Sequence, residues 1–174
     1  MRLQNKRIAV LVEEGFEDLE FWVTVMRLRE EGAKVTIVGT NANHTVKGKN
    51  ALTATSEVAA SAVSADDFDA VVVPGGWAPD KLRRYPEVTG LVRRAYEQKK
   101  IVGLICHAGL VGVSAGIVRG HRATGSKGIK DDLINAGAEW VDEPAFRDGN
   151  LVWGRVVEDI PDFCRELVTA IEAG

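Results

Sequence analysis

The chain has 174 residues, of which 45% are hydrophobic and 27% charged, and its formal net charge is −3. These values indicate one globular domain over residues 1–174, and the weak negative charge gives no patch for nucleic acid or an anionic membrane. Two cysteines and three histidines, without a CxxC pair, predict neither a disulfide framework nor a metal site. We therefore expect a protein of the reducing cytoplasm. The apolar run Ile8 to Val12 is too short for a signal peptide or a membrane span.

Strands and helices are predicted to alternate along the chain. In the first half we predict a strand over Arg7 to Val12, a helix over Asp18 to Glu31, a strand over Lys34 to Gly39, a hairpin of Thr45-Val46 with Ala51 to Thr55, and a strand over Asp69 to Val73. In the second half we predict helices over Asp80 to Arg84 and Val88 to Gln98, a strand over Ile101 to Ile105, a helix over His107 to Ser114, a strand over Arg122 to Thr124, a helix over Ile129 to Ala136, a strand over Glu139 to Val141, a hairpin over Ala145 to Arg155, and a helix from Asp159 or Ile160 to Glu172. This order predicts an α/β fold, a flavodoxin-like doubly wound sandwich with a mostly parallel central sheet.

A cysteine follows the apolar strand Ile101 to Ile105, at the point where a helical pattern begins. This arrangement is similar to the nucleophile elbow of serine hydrolases, with the sulfur of Cys106 in place of oxygen. Unpaired N–H groups at the helix start favour thiolate over thiol, and sites of this kind bring a cysteine pKa from about 8.5 to roughly 3.5–7.5. The alternative is a buried structural cysteine, which is the interpretation we prefer for Cys164.

Three loops are expected to meet at the carboxyl edge of the sheet: Glu13 to Glu20, Pro74 to Asp80, and Cys106 to Gly109. In the first loop, Glu17 or Glu20 can place a carboxyl group beside the cysteine, where it would have a raised pKa and act as general acid or base. The sequence does not choose between the two glutamates.

The second and third loops offer further candidates. Two consecutive glycines after Pro74 can present backbone N–H groups to an oxyanion, and Trp77 either walls a small-molecule pocket or caps a core edge. His107 follows the cysteine directly, so it is poorly placed to deprotonate Cys106 unless the turn bends sharply. His44 and His121 lie in polar loops and are predicted to be surface residues.

Four motifs, in this order over the whole domain, resemble the PfpI family, part of a broad superfamily of intracellular cysteine peptidases, glyoxalases, deglycases and stress proteins. They are Glu14-Gly15-Phe16-Glu17-Asp18-Leu19-Glu20, Val73-Pro74-Gly75-Gly76, Ile105-Cys106-His107 and Gly128-Ile129-Lys130-Asp131-Asp132-Leu133-Ile134-Asn135-Ala136-Gly137. The resemblance implies a flavodoxin-like homodimer, sometimes assembled into hexamers.

The resemblance also implies a role for individual residues. By position, Cys106 is the nucleophile with His107 as its partner, and Glu20 is the glutamate that hydrogen-bonds the cysteine. Asp80 matches an acidic residue that orients the histidine from the neighbouring subunit. The oxyanion-hole amides fall at Gly76 and Ala108.

The chain departs from the family pattern around the pocket. Ala108-Gly109 stands where Gly-Pro is common, and Gly154-Arg155 replaces a Ser-Arg pair. Thr124-Gly125-Ser126-Lys127 replaces a Thr-Ser-[Tyr/Trp]-Pro run, and Asp80 is shorter than the usual glutamate. These differences leave the nucleophile in place and bear on the substrate.

Three functions follow as hypotheses. The first is an enzyme that converts a reactive carbonyl such as methylglyoxal, or its adducts, to lactate through a Cys106 thiolate, without cofactor or metal; peptide hydrolysis is the alternative reaction. The second is a redox-sensing or chaperone-like stress protein in which Cys106 is oxidised to a sulfinate. A class I glutamine amidotransferase is disfavoured, because no histidine follows His121.

Overall fold

The computed structural model describes all 174 residues. The strands are β1 (Arg7–Leu11), β2 (Lys34–Gly39), β3 (His44–Lys47), β4 (Thr53–Ser56), β5 (Val58–Ala59), β6 (Ala70–Val73), β7 (Ile101–Ile105), β8 (Arg122–Ala123), β9 (Glu139–Trp140), β10 (Ala145–Asp148) and β11 (Leu151–Gly154). The α-helices are α1 (Asp18–Glu30), α2 (Ala78–Leu82), α3 (Pro86–Glu97), α4 (Gly109–Ala115), α5 (Lys130–Asn135) and α6 (Ile160–Ala173).

Seven strands form the central sheet, in the order β10-β11-β7-β6-β1-β2-β5. Every neighbouring pair is parallel except β10 with β11, so the predicted α/β sandwich with a mostly parallel sheet is confirmed. Strands β6 and β7 are completely buried, as their uninterrupted aliphatic sequences predict for a sheet covered on both faces. Helix α1 packs with α6, and α3 packs with α4.

The strand order reverses at β1, which pairs with β2 on one side and β6 on the other. Parallel α/β sheets form their binding crevice at such a reversal, beyond the carboxyl ends of the strands. The loops after β1, β6 and β7 all open at this edge. The topology therefore brings together three segments that lie far apart in the sequence.

The predicted hairpin is present as the antiparallel pair β3 and β4, and its tip lies against the loop after β1. The buried carboxylate of Asp18 accepts hydrogen bonds from the backbone N–H groups of Asn50 (2.9 Å) and Leu52 (2.8 Å). The N–H of Lys49 donates to the carbonyl of Phe16 at 2.9 Å. These contacts hold the hairpin tip beside the carboxyl edge of the sheet.

His121 was predicted at the surface, and this is wrong. Its ring is half-buried, with Nε2 2.7 Å from the hydroxyl of Tyr96 and Nδ1 3.1 Å from the carboxylate of Asp148. The polar loop around it concealed these partners, which come from α3 and β10. Cys164 is buried, with Sγ 3.8 Å from the Thr24 hydroxyl, which confirms its prediction as a core residue.

None of the helices combines the length and the hydrophobicity that crossing a membrane requires.

Candidate active site

Cys106 lies in the tight turn that follows β7. A 3₁₀ turn over Cys106–Ala108 precedes helix α4, where the sequence predicted a helix beginning directly at His107. The backbone of Cys106 has φ = +61°, a left-handed conformation that L residues rarely adopt and that costs of order 1–3 kcal/mol. Such strain persists where the surrounding structure holds a side chain in a functional position.

The turn brings the His107 ring back towards the cysteine. Its Nδ1 lies 3.4 Å from Sγ of Cys106, so the turn bends sharply enough to meet the condition under which His107 can take the proton of the thiol. The left-handed φ of Cys106 is the physical reason. The backbone N–H of His107 is near enough to the sulfur to lower the pKa of the thiol. Burial, with a smaller effect from the charge of Lys49, lowers the pKa of His107 and so favours the neutral imidazole, which can accept a proton from the thiol.

Glu20, on the first turn of α1, approaches the sulfur from the other side. It is completely buried, and its Oε1 accepts a hydrogen bond from the N–H of Gly75 at 2.8 Å. The second oxygen, Oε2, is buried without a hydrogen-bond partner, and the carboxyl group is close enough to Cys106 to raise the pKa of its thiol. Burial, followed by the charge of Glu17, raises the pKa of Glu20 to about 7.

The structure also distinguishes the two glutamates. Glu17 is the N-cap of α1, and its Oε2 accepts 2.8 Å hydrogen bonds from the N–H groups of Leu19 and Glu20. A carboxylate that satisfies the free N–H groups of a helix start has a structural role. Glu20 is therefore the carboxyl group at the sulfur, and Glu17 acts on it through charge.

The expected acidic thiol is not what the structure supports. Burial, and then the charge of Glu20, raise the pKa of Cys106 to about 12. The N–H of His107 and the charge of Lys49 act in the opposite direction and are weaker. The Coulombic effect of Glu20 requires the carboxylate, so it disappears when Glu20 is protonated. A thiolate at Cys106 is therefore compatible with a neutral Glu20 and is opposed by a charged one.

Gly76 presents a backbone donor at this site. It has φ = +81° and is fixed by two backbone hydrogen bonds, from Glu17 N–H to Gly75 (3.0 Å) and from Trp77 N–H to Gly15 (2.8 Å). Its own N–H makes no hydrogen bond. An added Cβ on Gly75 would overlap the Glu20 carboxyl, and one on Gly76 would overlap the backbone of Glu17. Both positions therefore require glycine.

Asp80 does not contact His107 within its own chain. Its exposed carboxylate pairs with Arg84 at 2.6 Å, one helical turn away. His107 Nε2 makes no hydrogen bond and faces Gly128, where an added Cβ would lie 3.6 Å away. Trp77 is 62% exposed, so it does not cap the core.

Lys49, at the tip of the hairpin between β3 and β4, was not recognised as a site residue in the sequence. Its Nζ lies 5.7 Å from the centroid of the Trp77 ring, and its charge lowers the pKa of Glu20, Cys106 and His107. The Lys47-Gly48-Lys49 turn gave no functional signal. Its position depends on the hydrogen bonds that hold the hairpin tip against the loop after β1.

Residues 6–170 match the sequence profile of the DJ-1/PfpI family. The chain belongs to this family. It is 38% identical over 166 residues to a deglycase from Pyrococcus abyssi, covering 95% of this chain and 99% of the relative. It is 35% identical, over the same shares of the two chains, to deglycase PfpI from Pyrococcus furiosus.

The chain is also similar in fold to a solved structure along almost its whole length. A two-domain protein from Anabaena variabilis, with DJ-1/ThiJ/PfpI-like and ferritin-like domains, superposes with a TM-score of 0.93 at 37% identity. The match covers 95% of this chain and 48% of that one.

Two of the four places where the chain departs from the family pattern border the turn at Cys106. Ala108 is buried, and Gly109 begins α4. The N–H of Ser126 donates to the Cys106 carbonyl at 3.2 Å, and an added Cβ on Gly125 would lie 2.5 Å from the same oxygen. Residues 125–128 therefore pack against the turn at Cys106, and the absence of a side chain on Gly125 allows this close approach.

Proposed function

We propose that the protein is a cysteine-dependent enzyme that acts on reactive carbonyl compounds, either methylglyoxal itself or its early adducts on amines and thiols. The observation that carries the proposal is the arrangement at Cys106, where a neutral histidine and a carboxyl group with a pKa of about 7 approach one sulfur. An unpaired N–H at Gly76 completes it. Two relatives named deglycase support the same reaction class.

The first step is addition of the thiol to the aldehyde. The thiol proton passes to His107 Nδ1 as Sγ of Cys106 forms a bond to the aldehyde carbon. The π electrons of the carbonyl move to oxygen, and the N–H of Gly76, with that of Ala108, stabilises the developing charge. Proton return to this oxygen gives a hemithioacetal. With an adduct on an amine, the same attack on the carbinol carbon releases the amine, which leaves with the proton.

The second step rearranges the hemithioacetal. The proton on the sulfur-bearing carbon is removed and the ketone oxygen is protonated, which gives an enediol. A proton is then delivered to the neighbouring carbon and the hydroxyl on the sulfur-bearing carbon loses its proton, which leaves the thioester of lactate. We assign this transfer to Glu20, because a pKa of about 7 lets it hold or release a proton at neutral pH. Water then attacks the thioester, the carbon–sulfur bond breaks and lactate leaves. Methylglyoxal and water supply every atom of the product.

Lactate formation from methylglyoxal by the purified protein tests the proposal. Cys106→Ala is expected to abolish turnover. Cys164→Ala removes the other, buried thiol and is expected to leave turnover intact. Unchanged lactate production by the Cys106→Ala variant would refute the role of this cysteine.

Peptide hydrolysis is the less favoured reaction of the same nucleophile. A peptide needs an open groove beside the sulfur, and Cys106 is buried, with 9% of its surface exposed. Small carbonyl compounds need no such groove. Release of amino groups from a denatured protein substrate, at a rate matching lactate formation, would reverse this preference.

A redox-sensing role is the second candidate function. The Glu20 carboxyl lies at the thiol and, when protonated, can donate a hydrogen bond to an oxygen of a cysteine sulfinate. Mass spectrometry after mild peroxide distinguishes the two functions. A stable adduct of two oxygens on Cys106, in a protein without turnover, would favour the sensor over the enzyme.

We also propose that the chain works as a homodimer, with hexamers as a further assembly. Asp80 does not reach His107 in its own chain, and His107 Nε2 has no partner there. A carboxylate from a second copy would orient this imidazole. Helix α1 carries an exposed apolar stripe suited to such a contact, formed by Leu19 (48% exposed), Val23 (41%) and Met26 (61%). Sedimentation of the protein at micromolar concentration tests the assembly.

A further inference from the structure

Lys49 places an ammonium group without a counter-ion at the entrance to the site. No carboxylate forms an ion pair with it, and its Nζ makes no hydrogen bond. Its one aromatic neighbour is the exposed face of Trp77, 5.7 Å from Nζ to the ring centroid. Because the ammonium group of Lys49 has no ion pair, it can bind an anionic group of a ligand.

The backbone around Lys49 is held in place. Its N–H donates to the carbonyl of Phe16 at 2.9 Å, and Gly48 N–H donates to Leu52 at 2.7 Å. An added Cβ on Gly48 would overlap the carboxylate of the buried Asp18, so the turn fits closely against the loop after β1. The base of the lysine side chain is therefore fixed relative to the loop that leads into Glu20.

The carboxylates around this turn accept hydrogen bonds from backbone N–H groups, Glu14 among them from Lys47 at 2.9 Å. Asp18 accepts from the N–H groups of Asn50 and Leu52, and Glu17 caps helix α1. Neither carboxylate forms an ion pair with Lys49. Trp77, which Lys49 contacts, belongs to the loop that borders the cysteine, since an added Cβ on Gly75 would lie 2.9 Å from Cβ of Cys106. In agreement with this position, the charge of Lys49 lowers the pKa of Glu20, Cys106 and His107.

We propose that Lys49, beside the face of Trp77, forms an anion subsite at the entrance to the Cys106 site. Carbonyl substrates that carry a carboxylate near the reacting carbon are then preferred over neutral ones of similar size. This inference rests on the proposed function only in taking Cys106 as the nucleophile that meets the substrate. The attraction is electrostatic and declines with ionic strength, because the site lies at the surface.

Alkylation of Cys106 with two matched reagents tests the subsite without requiring turnover. Iodoacetate and iodoacetamide carry the same reacting carbon and leaving group, and they differ in charge. The rate constants at Cys106 are measured by peptide mass spectrometry, which separates this thiol from Cys164. A change in the pKa of Cys106 alters both rates equally and cancels in the iodoacetate-to-iodoacetamide ratio. Loss of the Lys49 charge also raises the pKa of Glu20, which removes negative charge from the site and would raise the ratio, so a fall in the ratio reports the lost attraction of the ammonium for the anion.

The Lys49→Gln variant is expected to lower this ratio about three- to tenfold, the effect of one charge several ångströms away at a high effective dielectric. Lys47→Gln, on the same hairpin and with its own ammonium exposed and without an ion pair, is the matched control and is expected to leave the ratio unchanged. High salt should reduce the wild-type ratio towards that of Lys49→Gln.

The opposing outcomes are distinct. An unchanged ratio in Lys49→Gln, or an equal fall in Lys47→Gln, would overturn the subsite while lactate formation continued to support the enzyme. Failure of both reagents to label Cys106 in the native protein would overturn the subsite together with the proposed function.

Discussion

The substitution Glu20→Gln is expected to stabilise the folded protein at neutral pH and to slow lactate formation by orders of magnitude. Burial and the charge of Glu17 raise the pKa of Glu20 from 4.5 to about 7. The folded state therefore opposes an ionisation that occurs freely in the unfolded chain. The protonated Glu20 therefore contributes to the free energy of unfolding. This contribution is fully present below the pKa of Glu20 in the unfolded chain and is lost as the pH rises through its pKa in the folded protein. The loss is about 3 kcal/mol, at 1.36 kcal/mol per pKa unit. Glutamine has nearly the shape of the protonated carboxyl and does not ionise, so the variant avoids this loss.

Thermal unfolding between pH 4 and pH 8 measures the effect. Below the unfolded pKa of 4.5 the two proteins should unfold at similar temperatures. Above the folded pKa the variant should unfold about 6–12 °C higher, since 1 kcal/mol corresponds to about 2–4 °C in a domain of this size. A variant that is less stable than wild type at pH 8, or whose unfolding temperature depends on pH as in the wild type, would refute the interpretation of Glu20 as a carboxyl group whose pKa is raised by burial.

The same variant separates thiolate formation from turnover. Loss of the Glu20 charge lowers the pKa of Cys106, so alkylation by iodoacetamide should become faster at neutral pH. Lactate formation should nevertheless fall by about 10²–10⁴, the usual contribution of a general acid–base group. A variant with faster alkylation and undiminished turnover would show that Glu20 transfers no proton in the reaction.

Three further substitutions test separate parts of the structure. Gly76→Ala is expected to lower the free energy of unfolding in urea by at least about 1–3 kcal/mol and to abolish lactate formation. The reason is that Gly76 has φ = +81° and that the new Cβ would overlap the backbone of Glu17. A stable, active variant would argue against the oxyanion hole. Asp80→Asn should change the free energy of unfolding by less than about 1 kcal/mol, since it breaks an exposed ion pair. If the Asp80 carboxylate of a partner copy orients His107, the variant should also have a lower kcat and a shifted pH profile of kcat. An unchanged kcat would exclude that role. His121→Ala should lower the free energy of unfolding by roughly 1–3 kcal/mol, because it leaves the Tyr96 hydroxyl and the Asp148 carboxylate without this partner. Lactate formation should be unchanged. A loss of turnover in folded protein would instead link this histidine to the site.

The sheet and the position of the nucleophile could be predicted because they follow from local patterns. Strand β2 was predicted with the bounds that the structure shows, and β7 likewise, because continuous aliphatic runs end there at turn residues. Parallel topology then required the loops after β1, β6 and β7 to meet. The three loops that contain Glu20, Gly76 and Cys106 are predictable in this way.

Other features depend on tertiary contacts that no local pattern reports. The direction of the His107 ring follows from the left-handed φ of Cys106, which nothing in the sequence Cys-His-Ala indicates. The high pKa of the thiol follows from burial and from the adjacent Glu20 carboxyl, which together outweigh the donors of the turn. Lys49 reaches the site because Asp18, far away in sequence, binds the hairpin tip.

The covalent intermediate at Cys106 provides the most direct test of the proposed chemistry. The protein is mixed with one equivalent of methylglyoxal, stopped with acid at increasing times, and its intact mass and peptides are measured. The proposed mechanism predicts an adduct of one methylglyoxal on Cys106 that forms and decays at the rate at which lactate appears, and that Glu20→Gln accumulates. Lactate formation at full rate with no adduct on Cys106, or with an adduct confined to lysine and arginine side chains, would contradict it.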